Sequence, residues 1–188
     1  MKQQPPAMPA TDPAIRVRDA TEADLPAIVD IYNQSIPGAW STADTKPVTV
    51  ADRIEWFRKH DPARRPLWVA ELDGQIAAWI GLTSFYAGRP AYDATAEVSL
   101  YIATAFQRRG LGTFLKRRMI EHCPRLGVAT LISMQFDHNE ATRRINEQLG
   151  FQQVGIFPRL PSSKVSRVDC SSRCYASHQR QLRNKSLL

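Results

Sequence analysis

The run Gln107-Arg108-Arg109-Gly110-Leu111-Gly112-Thr113 leaves this chain few ways to fold. Before it, Ala96-Glu97-Val98-Ser99-Leu100-Tyr101-Ile102 alternates in polarity and is rich in β-branched, aromatic and aliphatic residues, which predicts a strand. After it, Leu111, Phe114, Leu115, Arg118 and Met119 recur at steps of three and four, which predicts a helix. A Gly-rich turn between the two presents unpaired backbone N–H groups at the positive end of a helix dipole, an arrangement suited to an anion such as a pyrophosphate. The glycines allow close approach, and Arg108 and Arg109 add positive charge. Glycines also serve tight turns for steric reasons alone. Neither the P-loop nor the dinucleotide fingerprint fits, because no Gly-Lys-Ser/Thr follows and the third glycine is missing.

The remaining segments supply the partners of that unit. Ile15 to Arg18 alternates as a first strand. Thr21-Glu22-Ala23-Asp24 resembles a capping box, with Leu25, Ile28, Val29 and Tyr32 following at helical spacing up to Pro37-Gly38. Thr49 is placed to cap a second helix carrying Ile54, Trp56 and Phe57. Asp73-Gly74 between Leu67–Ala70 and Gln75–Leu82 predicts a hairpin. Ala129 to Met134 reads as a strand, Ala141 to Leu149 as a short helix closed by Gly150, and Phe151 to Phe157 as a returning strand. This order predicts an α/β (α+β mixed) chain, with a mixed sheet flanked by helices on both faces.

Composition narrows the classes. A chain of 188 residues with 43% hydrophobic and 23% charged residues suits one soluble domain. No apolar run approaches the roughly 18 residues of a membrane span, and the Pro-rich start does not read as a signal peptide. Cys123, Cys170 and Cys174 are odd in number, and they and the scattered His60, His122, His138 and His178 lack metal-ligand spacing. A cytoplasmic protein without a metal is expected. Of the net charge of +7, the segment from Pro158 carries +6 (seven Lys and Arg against Asp169), so a solvated basic tail is expected rather than a nucleic-acid surface.

Gln-Arg-Arg-Gly-Leu-Gly-Thr after a strand resembles the acetyl-CoA signature of the GNAT N-acetyltransferase superfamily. Tyr92-Asp93-Ala94-Thr95-Ala96-Glu97-Val98-Ser99-Leu100-Tyr101-Ile102 is similar to its phosphinothricin/methionine-sulfone acetyltransferase-like branch, and Asn139-Glu140-Ala141-Thr142 followed by Glu147-Gln148-Leu149-Gly150-Phe151 is a further landmark. The resemblance covers roughly Ile15 to Phe157. It implies the GNAT fold, with a central, mostly antiparallel sheet. It also implies acetyl transfer from acetyl-CoA to the amine of a small amino-acid-like substrate, of the phosphinothricin or methionine sulfone/sulfoximine type, by direct attack in a ternary complex.

The resemblance assigns cofactor contacts to Leu100, Tyr101 and Ile102 on the strand, to Gln107, Arg108, Arg109, Gly110, Leu111, Gly112 and Thr113 in the turn, and to Asn139. It makes Glu97 the base that deprotonates the amine, although an alternating strand also allows Glu97 to face solvent. Tyr32, Asn33, Trp40, Phe85, Tyr86, Arg89 and Tyr92 are the candidate substrate residues. An Arg beside aromatics suits a carboxylate or phosphinate, while the same aromatics also suit plain packing. Where many relatives carry a tyrosine or histidine as proton donor to the leaving thiolate, this chain has Asn146, and an amide cannot act as an acid. The sequence also admits a protein or peptide N-acetyltransferase, a non-catalytic acetyl-CoA-binding module, and a homodimer.

The domain is expected over residues 14–157, after a disordered segment 1–13. After Phe157 the resemblance stops, and residues 158–188 read as an atypical basic tail of little periodicity. A permitted back-translation of Pro161 to Arg173 reads, in another frame, as Val-Val-Gln-Gly-Gln-Ser-Arg-Gly-Leu-Leu-Ile-Ser, similar to the family's ending. A frameshifted tail that costs the sheet its last strand is one expectation; a lineage-specific tail is the other.

Overall fold

The computed structural model describes residues 15–37, 41–157 and 172–178. The expectations for segment 1–13 and for most of the tail therefore lie outside the described residues.

Seven strands form one sheet in the order β1-β2-β3-β4-β5-β7-β6. They are β1 (Arg16–Asp19), β2 (Leu67–Leu72), β3 (Gln75–Ser84), β4 (Thr95–Ile102), β5 (Thr130–Phe136), β6 (Gln152–Phe157) and β7 (Ser172–His178). All neighbours are antiparallel except β4 and β5, which run parallel. The β2–β3 hairpin turns at Asp73-Gly74 with φ of 53° and 75°, the left-handed pair that a two-residue turn of this twist requires.

Helices α1 (Leu25–Asn33), α2 (Val50–Arg58), α3 (Leu111–His122) and α4 (Glu140–Gln148) complete the fold. Strand alternation divides the interior into two cores. On one face Ala78, Ile80 and Leu82 of β3 and Ala96 and Val98 of β4 pack against Leu111, Leu115 and Met119 of α3. On the other, Val69 and Trp79 pack against Ile28 and Ile31 of α1.

Both predicted caps form. Thr21 and Asp24 make a reciprocal box ahead of α1, as Thr49 and Asp52 do ahead of α2. Arg18 clamps Asp24 with guanidinium contacts of 2.6 and 2.9 Å and reaches Glu71 at 2.7 Å. This clamp lowers the Asp24 carboxyl from 3.8 to about 2. Because the folded value is depressed, the stabilisation is present above the unfolded value and is lost as pH falls toward about 2. Asp24→Asn should cost about 1–2 kcal/mol at neutral pH and flatten the acid limb of stability, measured by urea unfolding from neutral pH downward. An unchanged acid limb would show that Arg18 contributes nothing through Asp24.

The spacing that predicts α3 does not mark its buried face throughout: Arg118, one of its members, is exposed, and Lys116, which is not, is buried. The expected loss of the last strand is overturned, because Ser172–His178 inserts between β5 and β6 and pairs antiparallel with both. Tyr175 and Ser177 are buried there. The segment carries no apolar alternation to announce a strand; the unpaired edges of β5 and β6 supply its partners.

Candidate active site

Strand β4 stays beside β5 for only three residues. Thr95, Ala96 and Glu97 pair with Thr130, Leu131 and Ile132. Beyond them β5 continues against β7 and β4 against β3, so a gap opens in the sheet. The N–H of Phe85 donates to the C=O of Thr95, and that of Ala103 to Ala77. Odd-numbered residues of β4 therefore turn their backbone to β3, and the later even-numbered ones, Leu100 and Ile102, turn theirs to the gap. The C=O of Ile102 accepts from the side-chain amide of Gln107 at 3.2 Å. Tyr101 turns its main chain to β3 and offers the cleft its ring.

The Gly-rich turn meets this end of the gap. Arg108 and Gly110 adopt left-handed φ of 61° and 80°, curling the chain ahead of α3. Among the described residues, none of the backbone N–H groups from Arg108 to Thr113 has an acceptor. They form a concave set of donors at a helix start, which favours an anion. Gly112 lets α3 sit close: a Cβ there would come within 2.9 Å of Ile145 Cδ1 and 3.2 Å of Ile102 Cδ1. The Arg109 guanidinium lies over the Phe106 ring at 5.3 Å.

The gap widens into a cavity of about 430 Å³ lined by 97–101 of β4, 133–136 of β5, Lys116 of α3, Asn139 and Thr142 at the start of α4, and residues 41–43. Asn139 caps α4 by accepting from the Thr142 N–H at 3.0 Å and donates to Ser41 Oγ at 3.1 Å. The Tyr101 hydroxyl donates to the Ser41 carbonyl at 3.1 Å.

A second cavity of about 150 Å³ is lined by Tyr32, Arg53, Trp56, His60, Trp79 and Thr83, and it shares Ser99 and Tyr101 with the first. The Arg53 guanidinium lies over the Tyr32 ring at 4.4 Å and pairs with Asp44 at 3.2 Å. His60 Nδ1 lies 3.0 Å from the Trp56 carbonyl, which can only accept, so Nε2 carries the free lone pair. Nε2 has no partner among the described residues, and burial lowers the imidazole's pKa and keeps it neutral.

Glu97 pairs with Thr83 across the strands, on the face that also bears Ser99 and Tyr101. Its carboxylate is half-buried, has no hydrogen-bond or ion-pair partner among the described residues, and is raised in pKa by burial.

The parted parallel strands, the donor-rich turn and the shared cleft agree with a family match: the description "Acetyltransferase (GNAT) family" fits residues 25–151. The chain belongs to the GNAT acetyltransferase family.

Among GNAT relatives, a Bacillus subtilis (strain 168) protein, YwnH, named provisionally as a phosphinothricin acetyltransferase, is 44% identical over 154 residues, or 81% of this chain and 93% of that one. The Pseudomonas paraeruginosa L-methionine sulfoximine/L-methionine sulfone acetyltransferase is 29% identical over 77% of this chain and 84% of its own. A crystal structure provisionally titled a phosphinothricin N-acetyltransferase superposes with a TM-score of 0.82 at 39% identity, covering 88% of this chain and 98% of that one. A Sinorhizobium meliloti phosphinothricin acetyltransferase solved with AcCoA shares the fold at 22% identity and a TM-score of 0.79, over 88% of each chain.

The GNAT cleft gathers some of the expected residues and leaves others apart. Glu97, Leu100, Tyr101 and Asn139 line the larger cavity, and Tyr32 the smaller. Asn33 lines neither; its amide grips the backbone of Val48 at both ends, at 2.9 Å each. Phe85 meets Tyr86 and Tyr92 edge-on and those two tyrosines lie tilted against each other, with Arg89 over Tyr86 at 5.8 Å, also outside both cavities. Trp40 lies outside the described residues. Sequence reasoning missed Arg53, Trp56, His60 and Lys116. Lys116 had left a signal, because a charge fell on the apolar stripe formed by Leu115, Met119 and Ile120.

Proposed function

We propose that this GNAT acetyltransferase moves acetyl from acetyl-CoA to the amine of a small amino-acid-like substrate by direct attack within a ternary complex. The observation that carries the reading is the junction at Ser99 and Tyr101, where a large cavity and a small one meet beside the Glu97 strand position. The larger cavity suits the pantetheine arm: Leu100 and Ile102 would pair with its amides, Asn139 would contact it, and the N–H groups from Arg108 to Thr113 would hold the pyrophosphate. The Leu100 N–H would also stabilise the developing oxyanion. The smaller cavity would take the acceptor. There Arg53, in place of the Arg89 expected from sequence, offers a planar fork to a carboxylate or phosphinate, and its aromatic walls leave room for a short side chain.

Glu97 would accept the ammonium proton, directly or through water. Burial makes it a stronger base than an exposed carboxylate, so the amine is deprotonated at a smaller energetic cost. A covalent route through Cys123 has no support, because that thiol is fully buried at the end of α3 and burial pushes it up to about 12. This reading sets the protein in a cytoplasmic, reducing compartment; among the described residues no helix is long and apolar enough to cross a membrane.

Thiol release from acetyl-CoA, assayed with methionine sulfone, methionine sulfoximine, phosphinothricin, ordinary amino acids and short peptides, tests the proposal. Turnover should be confined to free amino-acid-like amines, and Arg53→Ala should raise KM for them by about 10–100-fold, the loss of a charge-assisted pair, with little change for acetyl-CoA. Equal turnover on peptides would point to a protein-directed enzyme. Tight acetyl-CoA binding without turnover on any amine would leave a binding module.

A further inference from the structure

The floor of the larger cavity holds a cation that the mechanism above does not use. Lys116 is 2% exposed and lines the cavity with Ser133 and Gln135 of β5. Its Nζ donates to Ser133 Oγ at 2.9 Å and to Asn146 Oδ1 at 2.5 Å and lies 4.8 Å from the centre of the Phe151 ring. The Asn146 amide passes the network on to Gln135 Oε1 at 2.8 Å. No carboxylate pairs with Lys116 among the described residues, and its third N–H has no oxygen acceptor there. The groups packed on it from β5 and α4 are neutral amides and a hydroxyl. Glu97 and Tyr101, across the cavity on β4, are the other titratable lining groups. Burying an ammonium without a counter-charge is costly, and the cost favours giving up a proton.

We propose that Lys116 is the proton donor to the departing CoA thiolate. This rests on the acetyl-transfer reading. As the amine nitrogen bonds to the acetyl carbon, the C–S bond breaks and its electron pair leaves on sulfur. Glu97 takes the ammonium proton before attack and hands it to water. It then takes the second proton, which nitrogen loses as the amide forms, while the Lys116 ammonium gives one to sulfur, leaving a neutral lysine and a free thiol. Water in the open cavity returns a proton to Lys116 and removes one from Glu97. Burial alone brings the lysine down to about 7. A thiol ordinarily titrates near 8.5, so the transfer runs downhill. Asn146 cannot donate as an acid, but its Oδ1 fixes the ammonium that can.

The test uses the full chain and two acetyl donors: acetyl-CoA, and the para-nitrophenyl thioester of acetic acid, whose thiolate leaves unassisted. Lys116→Met should lower kcat with acetyl-CoA by about 100-fold while changing kcat/KM for the aryl thioester by no more than about threefold. The wild-type profile with acetyl-CoA should fall as pH rises above neutrality, and this limb should vanish in Lys116→Met. Asn146→Asp sets a carboxylate beside the ammonium and should move the limb to higher pH. Should Lys116→Met fail to fold, the two donors compared on the wild-type enzyme still decide, since only acetyl-CoA should show the limb.

Equal losses on both donors would make Lys116 a structural residue, and an acetyl adduct on Lys116 would make it a nucleophile; either overturns the proposal. Turnover undiminished in Lys116→Met overturns it alone. No wild-type turnover on any amine instead overturns the acetyl-transfer reading itself.

Discussion

Glu97→Gln should lower kcat/KM for the amine by about 100-fold to 10,000-fold while leaving acetyl-CoA affinity within about twofold. The substitution keeps the shape of a half-buried side chain that has no partner among the described residues, so little folding energy depends on its charge. What it removes is the carboxylate that lines the larger cavity, two residues along β4 from the shared Ser99. The sign of the pH dependence follows from the environment. Burial raises the Glu97 pKa, so the wild-type rate should climb with pH through and above the ordinary carboxylate range as the base is uncovered. The variant should lack that limb. Calorimetric titration with acetyl-CoA beside steady-state kinetics separates the outcomes. A variant of wild-type speed would move the base elsewhere, with the neutral His60 as the next group to examine.

Trp79→Ala should produce the largest loss of stability, about 3–5 kcal/mol, because the indole is 3% exposed and nothing nearby can fill the space it leaves. Trp79 stacks on Tyr101 at 4.6 Å, meets Trp56 edge-on at 5.5 Å, and donates its indole N–H to the Ile28 carbonyl at 3.1 Å. It thereby joins α1, α2 and β4 around the smaller cavity. Trp79→Phe should cost only about 1–2 kcal/mol, since most of the apolar contact remains. That milder variant should fold well enough to show a raised KM for the amine with unchanged acetyl-CoA binding. Urea unfolding of both variants checks the ordering; a loss below about 1 kcal/mol for Trp79→Ala would mean that the aromatic layer is not a packed core.

Local signals in the chain foretold much of this architecture because they are covalently local. Asp73-Gly74 specifies its hairpin through two left-handed residues, and Thr21 and Thr49 specify helix starts through bonds three residues away. The Gly-rich turn was legible for the same reason, since Arg108 and Gly110 act on their own backbone. The first helix runs shorter than expected, ending at Asn33 rather than at Pro37-Gly38. The Phe85, Tyr86, Arg89 and Tyr92 cluster was legible as aromatic chemistry, but its position apart from the cavities was not.

The sequence by itself determined the order of strands and helices as far as Phe157, the Gly-rich turn between strand and helix, and the alternation that puts Glu97, Ser99 and Tyr101 on one face, all consequences of spacing along a regular backbone. Only the tertiary structure decided which strands part, where the two cavities meet, that Arg53 and His60 reach the smaller one, and that Lys116 is buried beside Asn146. Only it gave the polar segment Ser172–His178 a place inside the sheet. These depend on groups far apart in sequence whose free energies change with burial and with open hydrogen-bonding edges, and no local pattern carries that information.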